Sequence, residues 1–378
     1  MKKLKSLILI GFSLLGLSSC SDLIYDDLED CPTGVRVNLV GIPLTLTPTV
    51  HGTPYNPKSG YDYVNDATFF VYDSNNTLAY KYTAKDLIGS NYQVMIPTGA
   101  GDYSIYCWTG GEEKGGEENG SFYDYSGTVA GTSTKDEFLC SYLSGDANNA
   151  ADVLPPMGYG KVGQVTVVDH AITNVDMDLI SNKKTITVVC RYATSNTSVG
   201  GTQTSTEANM TNFKFGIVGD NRRYNIENDV IHLGRNFIYQ QLTSSFVNII
   251  NDVDLSGRSQ TYVVNSVSLN TLRLVDGDQT TRLVIRDEKD NYICDIPIVD
   301  YFAMFVVAEN PLKQVNLSVQ DYLDYTDEYK VILNLVEANT QEAGAKFRVA
   351  SIQIGDWIYN GVNLGGELID HTNTPKGN

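Results

Sequence analysis

Histidine is scarce in this chain of 378 residues: His51, His170, His232 and His371 are the only four, and no two stand in an H-E-x-x-H pair. Nucleophilic catalysis needs a base beside its nucleophile, and at neutral pH that base is most often histidine. A G-x-S-x-G elbow and a phosphate-binding G-x-x-x-x-G-K-[ST] loop are absent too. Carboxylates are plentiful, but nothing in their spacing raises one pair above the rest as a glycosidase dyad. No catalytic residue is assigned. Basic residues are also few, 27 against 45 acidic ones, for a net charge of −18. A surface of that sign repels nucleic acid and anionic headgroups, so nucleic acid is excluded as a partner. Beyond residue 17 there is no apolar run of the roughly 20 residues that a membrane-spanning helix needs. No two cysteines form C-x-x-C, which argues against zinc and dithiol redox chemistry, and no metal or cofactor is expected.

What is present begins at the first residue. Lys2, Lys3 and Lys5 precede an apolar core from Leu7 to Leu17, and Ser18-Ser19-Cys20 follows. This is a secretory signal too short to cross a bilayer. Its Leu-Ser-Ser-Cys ending resembles a bacterial lipobox, with cleavage between Ser19 and Cys20 and acylation of Cys20. Each buried acyl CH₂ contributes about 0.8 kcal/mol, so two or three chains anchor stably. Residues 1–19 are thus expected as signal peptide and 20–30, Ser21 to Asp30 being polar and acidic, as a tether. The expected address is the outer membrane, lipid-anchored and surface-exposed. Five cysteines remain after Cys20, an odd number in an oxidising envelope. One bridge is expected in the first domain, from Cys31 to Cys107 or Cys140.

The body has the pattern of short strands. Val35, Val37 and Leu39 alternate with Arg36 and Asn38, the period of a half-buried strand, and Cys31-Pro32-Thr33-Gly34 is the turn before it. Strands are expected at 67–73, 77–82, 92–96, 103–108, 175–180, 185–189, 213–218, 263–269, 272–275, 282–285, 292–298 and 329–335, the last buried on both faces. Asn75-Asn76, Asp276-Gly277 and Lys289-Asp290-Asn291 are turn signals. Residues 138–143 suggest a short helix or strand, 315–322 a short helix, and 347–354 with 357–362 a terminal strand pair. Turn signals every ten residues or so indicate a sandwich or barrel. A new strand series opens at 181, dividing the chain into 31–180 and 181–378.

Three features invite a functional reading and carry little. Gly158-Tyr159-Gly160-Lys161-Val162-Gly163 matches the dinucleotide motif G-x-G-x-x-G, but the β-branched Val165-Thr166-Val167-Val168 stands where the motif needs a helix. Gly110 to Gly120 is an acidic, glycine-rich loop without calcium-loop spacing. The 24 tyrosines, among them Tyr61, Tyr63, Tyr322, Tyr325 and Tyr329, suit sugar stacking but equally suit half-buried strands.

Ile24-Tyr25-Asp26-Asp27-Leu28-Glu29-Asp30-Cys31-Pro32 directly after a lipobox, Phe70-Val71-Tyr72-Asp73, Gly101-Asp102-Tyr103 leading to Trp108, Gln320-Asp321-Tyr322-Leu323-Asp324, and Ser351 to Trp357 together resemble the FimB-type fimbrial anchor family. The resemblance implies an all-β chain of two tandem transthyretin-like β-sandwich domains after a lipoprotein signal peptide. It further implies a non-enzymatic anchor or accessory subunit that tethers a donor-strand-type fimbrium at the outer membrane, with stalk or accessory subunits as partners. Stalk subunits of this class lose their first strand to proteolysis, whereas anchors keep it; here that strand is the one carrying Val35, Val37 and Leu39. Arg36 lies inside it and not in a loop where nicking is favoured. Trp357, Ile358 and Tyr359 are the candidate subunit contact. The alternative is a surface adhesin, including a fimbrial tip subunit, that binds glycan or host protein.

Overall fold

The computed structural model describes residues 31–360 with interruptions, the longest at 55–65, 111–121 and 195–209. Among the described residues twelve strands precede residue 182: β1 Gly34–Val40, β2 Thr49–Val50, β3 Thr53–Pro54, β4 Asp66–Asp73, β5 Leu78–Lys85, β6 Gln93–Ile96, β7 Gly101–Thr109, β8 Phe122–Asp124, β9 Cys140–Leu143, β10 Asn149–Ala150, β11 Gly158–Val167 and β12 Ile172–Ser181. After it come β13 Lys184–Ala193, β14 Lys214–Gly219, β15 Arg223–Tyr224, β16 Phe237–Gln240, β17 Phe246–Val253, β18 Ser259–Thr271, β19 Arg282–Arg286 and β20 Tyr292–Pro297. Two helices follow, α1 Ile298–Glu309 and α2 Val319–Tyr325, and then β21 Glu328–Glu337, β22 Phe347–Ile354 and β23 Trp357–Asn360.

In the first half seven of the strands form one sheet of order β5-β4-β7-β11-β12-β1-β6, while β2 pairs with β3 and β8 with β9. β11 and β12 pair only over Gly158–Gly160, after which β11 follows β7 and β12 follows β1. The sheet therefore folds over on itself as a sandwich. Phe69 and Val71 of β4 with Ile105 and Cys107 of β7 meet Val35 and Val37 of β1 and Met177 of β12 in a single core. Local chemistry sets the hairpins. At the β4–β5 turn Asn76 adopts φ 61°, which asparagine tolerates, and the Asp73 carboxylate accepts the N–H groups of Asn75 and Thr77, both at 2.9 Å.

In the second half two sheets face each other, β17-β18-β13-β21-β22-β23 and β10-β16-β14-β19-β20. Ile186, Val188, Leu333 and Ile352 from one side pack with Phe215, Ile217, Leu283 and Ile296 from the other. The chain is thus a β-sandwich protein throughout, as its strand pattern implies.

The halves share their hydrophobic interior. β4 and β7 are buried on both faces: Phe70, Tyr72, Tyr106 and Trp108 point away from the first core into the cluster that continues through the second half. The Trp108 ring stacks on Phe138 at 5.6 Å and meets Tyr159 at 5.0 Å and Tyr224 at 5.9 Å. Backbone pairing crosses the seam as well, since β9 joins β15 and β10 joins β16.

Several expectations change on contact with the structure. The strand expected over 292–298 is β20, ending at Pro297, and Ile298 instead opens a helix, α1, that was not anticipated; an apolar run of this kind carries no periodicity that separates strand from helix. Residues 272–275 lie beyond the end of β18, and β16 and β17 are strands not anticipated. β21 buries one face only, Val331, Leu333 and Leu335, while Ile332 and Asn334 are half-buried. Residues 138–143 resolve into β9 after a short 3₁₀ turn, Lys135–Glu137. The bridge expected from Cys31 to Cys107 or Cys140 is not made, because Cys107 and Cys140 are buried free thiols. Register gives the reason. Cys107 pairs with Gly160 and hence lies level with Leu179 of β12, whereas Cys31 precedes Gly34, which pairs with Ile172. That is about 23 Å along a strand, against the roughly 7 Å limit between bridged Cα atoms.

Burial raises the phenol pKa of Tyr72, Tyr106, Tyr123, Tyr125, Tyr224 and Tyr239 above the ordinary value near 10. A folded-state pKa above the unfolded one gives stability that is complete below pH 10 and lost as pH rises through and beyond it. Tyrosine absorbance at 295 nm should therefore show a large fraction of phenols that ionise only together with unfolding, and urea midpoints should fall steeply above about pH 10.

Candidate functional site: strand edges and the joint between the halves

β1 lies inside its sheet. It runs parallel to β12 from Gly34↔Ile172 to Val40↔Asp178 and antiparallel to β6 from Val35↔Ile96 to Asn38↔Gln93. Val35 and Val37 are wholly buried and Leu39 is 5% exposed, while the Arg36 side chain points to solvent from a backbone paired on both sides. The entry to the strand is fixed by the β11–β12 turn. The Thr33 hydroxyl donates to Asp169 Oδ1 at 3.0 Å, and the His170 and Gly34 N–H groups donate to Thr33 Oγ1 at 2.8 Å and Ala171 O at 3.2 Å. β1 and β6 approach so closely at Gly34 that a Cβ there would meet Ile96 O at 2.7 Å.

At the other end of the chain, β23 carries Trp357, Ile358 and Tyr359 and pairs only with β22, as the edge of its sheet. The opposite edge is β17, joined to β18 from Phe246↔Ser266 to Val253↔Ser259, with Ile249 41% exposed. Among the described residues nothing pairs with the outer side of either strand. An unpaired edge offers a row of N–H and C=O groups to an added strand. The sequence signal for β17 was its β-branched run, weakened by three interspersed polar residues. Ser19, Cys20, the tether, Tyr61, Tyr63 and the 111–120 part of the acidic loop lie outside the described residues.

Between these two ends stands a polar joint that no motif announces. The connector Ser181-Asn182-Lys183-Lys184 is buried at Asn182 and Lys184. The Asn182 and Asn228 amides exchange hydrogen bonds of 2.7 and 3.1 Å, and Asn182 N–H donates to Met157 O at 2.7 Å. The Lys184 ammonium donates to Asp324 O at 2.7 Å and faces Asp327 Oδ1 at 3.4 Å. Arg273 clasps Asp324 with two bonds of 2.7 and 2.8 Å and also donates to Asn228 O. Burial lowers the Lys184 pKa against the pull of Asp327 and Asp324. For Arg273, burial acts downward but the paired Asp324 carboxylate outweighs it, so its pKa is raised.

The turn that supplies Asn228 also reaches the first half. Glu227 accepts from the Tyr106 hydroxyl at 2.5 Å and from Lys161. Burial pushes Glu227 up, yet the bonds from Lys161 and Tyr106 bring its pKa below the usual value. The ammonium groups of Lys135 and Lys161 sit over the Tyr106 ring at 5.2 and 5.6 Å.

The remaining candidates are structural. Gly158 to Gly163 lie within β11, so the G-x-G-x-x-G match has no helix to carry it. Tyr329 is buried and donates to Leu323 O at 3.1 Å, and Tyr322 meets its ring edge-on at 6.0 Å, so the trio with Tyr325 is no open stacking platform. Among the described residues, no three His, Cys, Asp or Glu side chains converge to hold a metal, and no helix is long and apolar enough to cross a membrane.

Comparison with known proteins gives one family. The family model for fimbrillin-A associated anchor proteins Mfa1 and Mfa2 matches residues 28–363. Among solved structures, the fimbrial anchor protein Mfa2 from Porphyromonas gingivalis is similar at 15% identity and TM-score 0.60, covering 88% of this chain and 100% of that one. A candidate adhesin from Bacteroides thetaiotaomicron is similar at 18% identity and TM-score 0.63, covering 88% and 99%. A candidate polysaccharide-binding protein from the same organism has 17% identity and TM-score 0.61, again covering 88% and 99%. At these identities the likeness is one of fold. No curated protein matches the chain in sequence.

Replacing Lys184 by Met removes the buried ammonium that Asp324 O and Asp327 face. The expected loss is about 3–5 kcal/mol in urea unfolding, the range for breaking a buried pair from one side.

Proposed function

The chain belongs to the family of fimbrillin-A associated anchor proteins Mfa1 and Mfa2, and on that premise we propose that it is the lipid-held end of a fimbrium, closed at its first domain and open at its last strand. As a family member it is a fimbrial anchor or accessory protein of the cell surface. In the proposal, cleavage between Ser19 and Cys20 leaves acylated Cys20 in the outer membrane, and residues 20–30 hold the body clear of it. Residues 31–180 and 181–378 act as two tandem transthyretin-like domains. No step of this role is catalytic.

The observation that carries the reading is the double pairing of β1. A strand with partners on both sides and Val35, Val37 and Leu39 in the core is costly to remove, and its one arginine sits in the ladder and not in a loop. The first sandwich is then filled by its own strand and offers no groove to a neighbour. Subunit contact is left to an edge, and β23 with Trp357, Ile358 and Tyr359 is the one proposed, by strand addition. A glycan-binding adhesin, the alternative reading, would need an aromatic platform elsewhere than Tyr322, Tyr325 and Tyr329; one structural relative is described as polysaccharide-binding and another as an adhesin.

Intact-mass analysis of membrane-extracted protein should give a chain that starts at Cys20 and carries acyl mass; one that starts at Val37 without it would overturn the proposal. Because β22 contributes Phe347, Val349 and Ile352 to the core, the contact is tested by ending the chain after Ile354. That variant should stay in the membrane while fimbriae appear in the medium. Fimbriae still held would move the contact away from β23.

A further inference from the structure

The connector between the halves has the place of a hinge and the burial of a core. Asn182 and Lys184 are wholly inaccessible, and two elements of the second half bond to the connector directly, the turn at residues 225–229 and the C-terminus of α2, while Arg273 just beyond β18 ties these two together through Asn228 O and Asp324. The turn also reaches the sheet of the first half through the Glu227 carboxylate. It is built from within: Asn225 Oδ1 accepts the N–H groups of Glu227 at 3.0 Å and Asp229 at 2.8 Å, and the Asn225 and Asn228 N–H groups close it at 3.1 Å each. So held, it presents Glu227 to Tyr106 and Lys161 on β7 and β11 and, one residue later, Asn228 to Asn182. Asn228 adopts φ 66°, a left-handed conformation that places successive side chains on opposite partners.

We infer that the Asn225–Asp229 turn is a latch that binds the two halves into one rigid body and denies the Ser181–Lys184 connector its freedom as a hinge. The latch is independent of the anchor role: it follows from the seam whatever the chain binds. Its effect is that a pull on one half is felt by the other without an intervening bend, and that the lysine pair of the connector is shielded from proteases.

Limited trypsinolysis of the full chain tests this, with cleavage after Lys183 and Lys184 as the readout and Lys289, exposed in the β19–β20 turn, as the internal reference. Wild-type protein should be cut at Lys289 well before the connector. In the variant Glu227→Ala/Asn228→Gly, glycine keeps the positive φ and removes the amide, so the turn persists without its grips. Connector cleavage should then rise about 10- to 100-fold while the reference site is unchanged. Connector cleavage in wild type as fast as at Lys289, or no rise in the variant, overturns the inference. Should the double variant fail to fold, which would show as cleavage at every lysine, Lys161→Gln removes one of the two partners of Glu227 and leaves the Tyr106 bond, and should give a smaller rise. Calorimetry of the wild type adds an independent arm: one cooperative transition is expected, and two separate ones would refute a single body.

Discussion

The outer face of β4 and β7 needs a cover, and most of the architecture supplies one. Phe70, Tyr72, Tyr106 and Trp108 would leave a large apolar patch on water if the first sandwich stood alone. Full burial of a large side chain contributes about 1.5–3 kcal/mol, so the four together contribute on the order of 10 kcal/mol toward holding the covering segment in place. That segment, 122–159, supplies Phe138, Tyr142 and Tyr159 to the same interior and pairs its own short strands with β15 and β16. The second half is therefore docked by hydrophobic area first and oriented by polar groups second. The Asn182–Asn228 exchange and the Arg273–Asp324 clasp are tolerable at the seam because each buried group has its partner.

One topological device appears twice. β1, the first strand of its half, lies parallel to the last, β12; β13 opens the second half and lies parallel to β21. Both are interior strands, flanked on the other side by an antiparallel neighbour, β6 or β18. The first half is thus closed by joining its first and last strands in register, the second continues past β21 into β22 and β23, and neither opening strand has an edge of its own to protect. Exposed edges are deferred to strands such as β17 and β23, where an added strand does no violence to a core.

How far the sequence foretells this depends on the range of the signal. Val35, Val37 and Leu39 announce β1 because alternation is local, and Asn76, Gly277 and Asp290 take the positive φ their turn signals imply. α1 was illegible because Ile298 to Val307 is apolar nearly all round, a pattern set by burial rather than by helical period. The disulfide guess failed because spacing along the chain says nothing of level along a strand, which register alone fixes. The joint was invisible for a related reason: Asn182 and Asn228 are ordinary asparagines 46 positions apart, and only the fold makes them a pair. The family resemblance in the N-terminal block and the β-rich body did carry the fold class and the family.

The parallel pairing of β1 with β12 also decides how the molecule meets a load. A pull that enters through residue 31 runs along the axis of β1, parallel to the strands and perpendicular to the bonds on either flank. Such a force shears the ladder: its hydrogen bonds with β12 and β6 must yield together, whereas a force at right angles would unzip them one at a time. The same strand placement that fills the first sandwich thus sets its mechanical grain, strong along the axis of β1 and weaker across it.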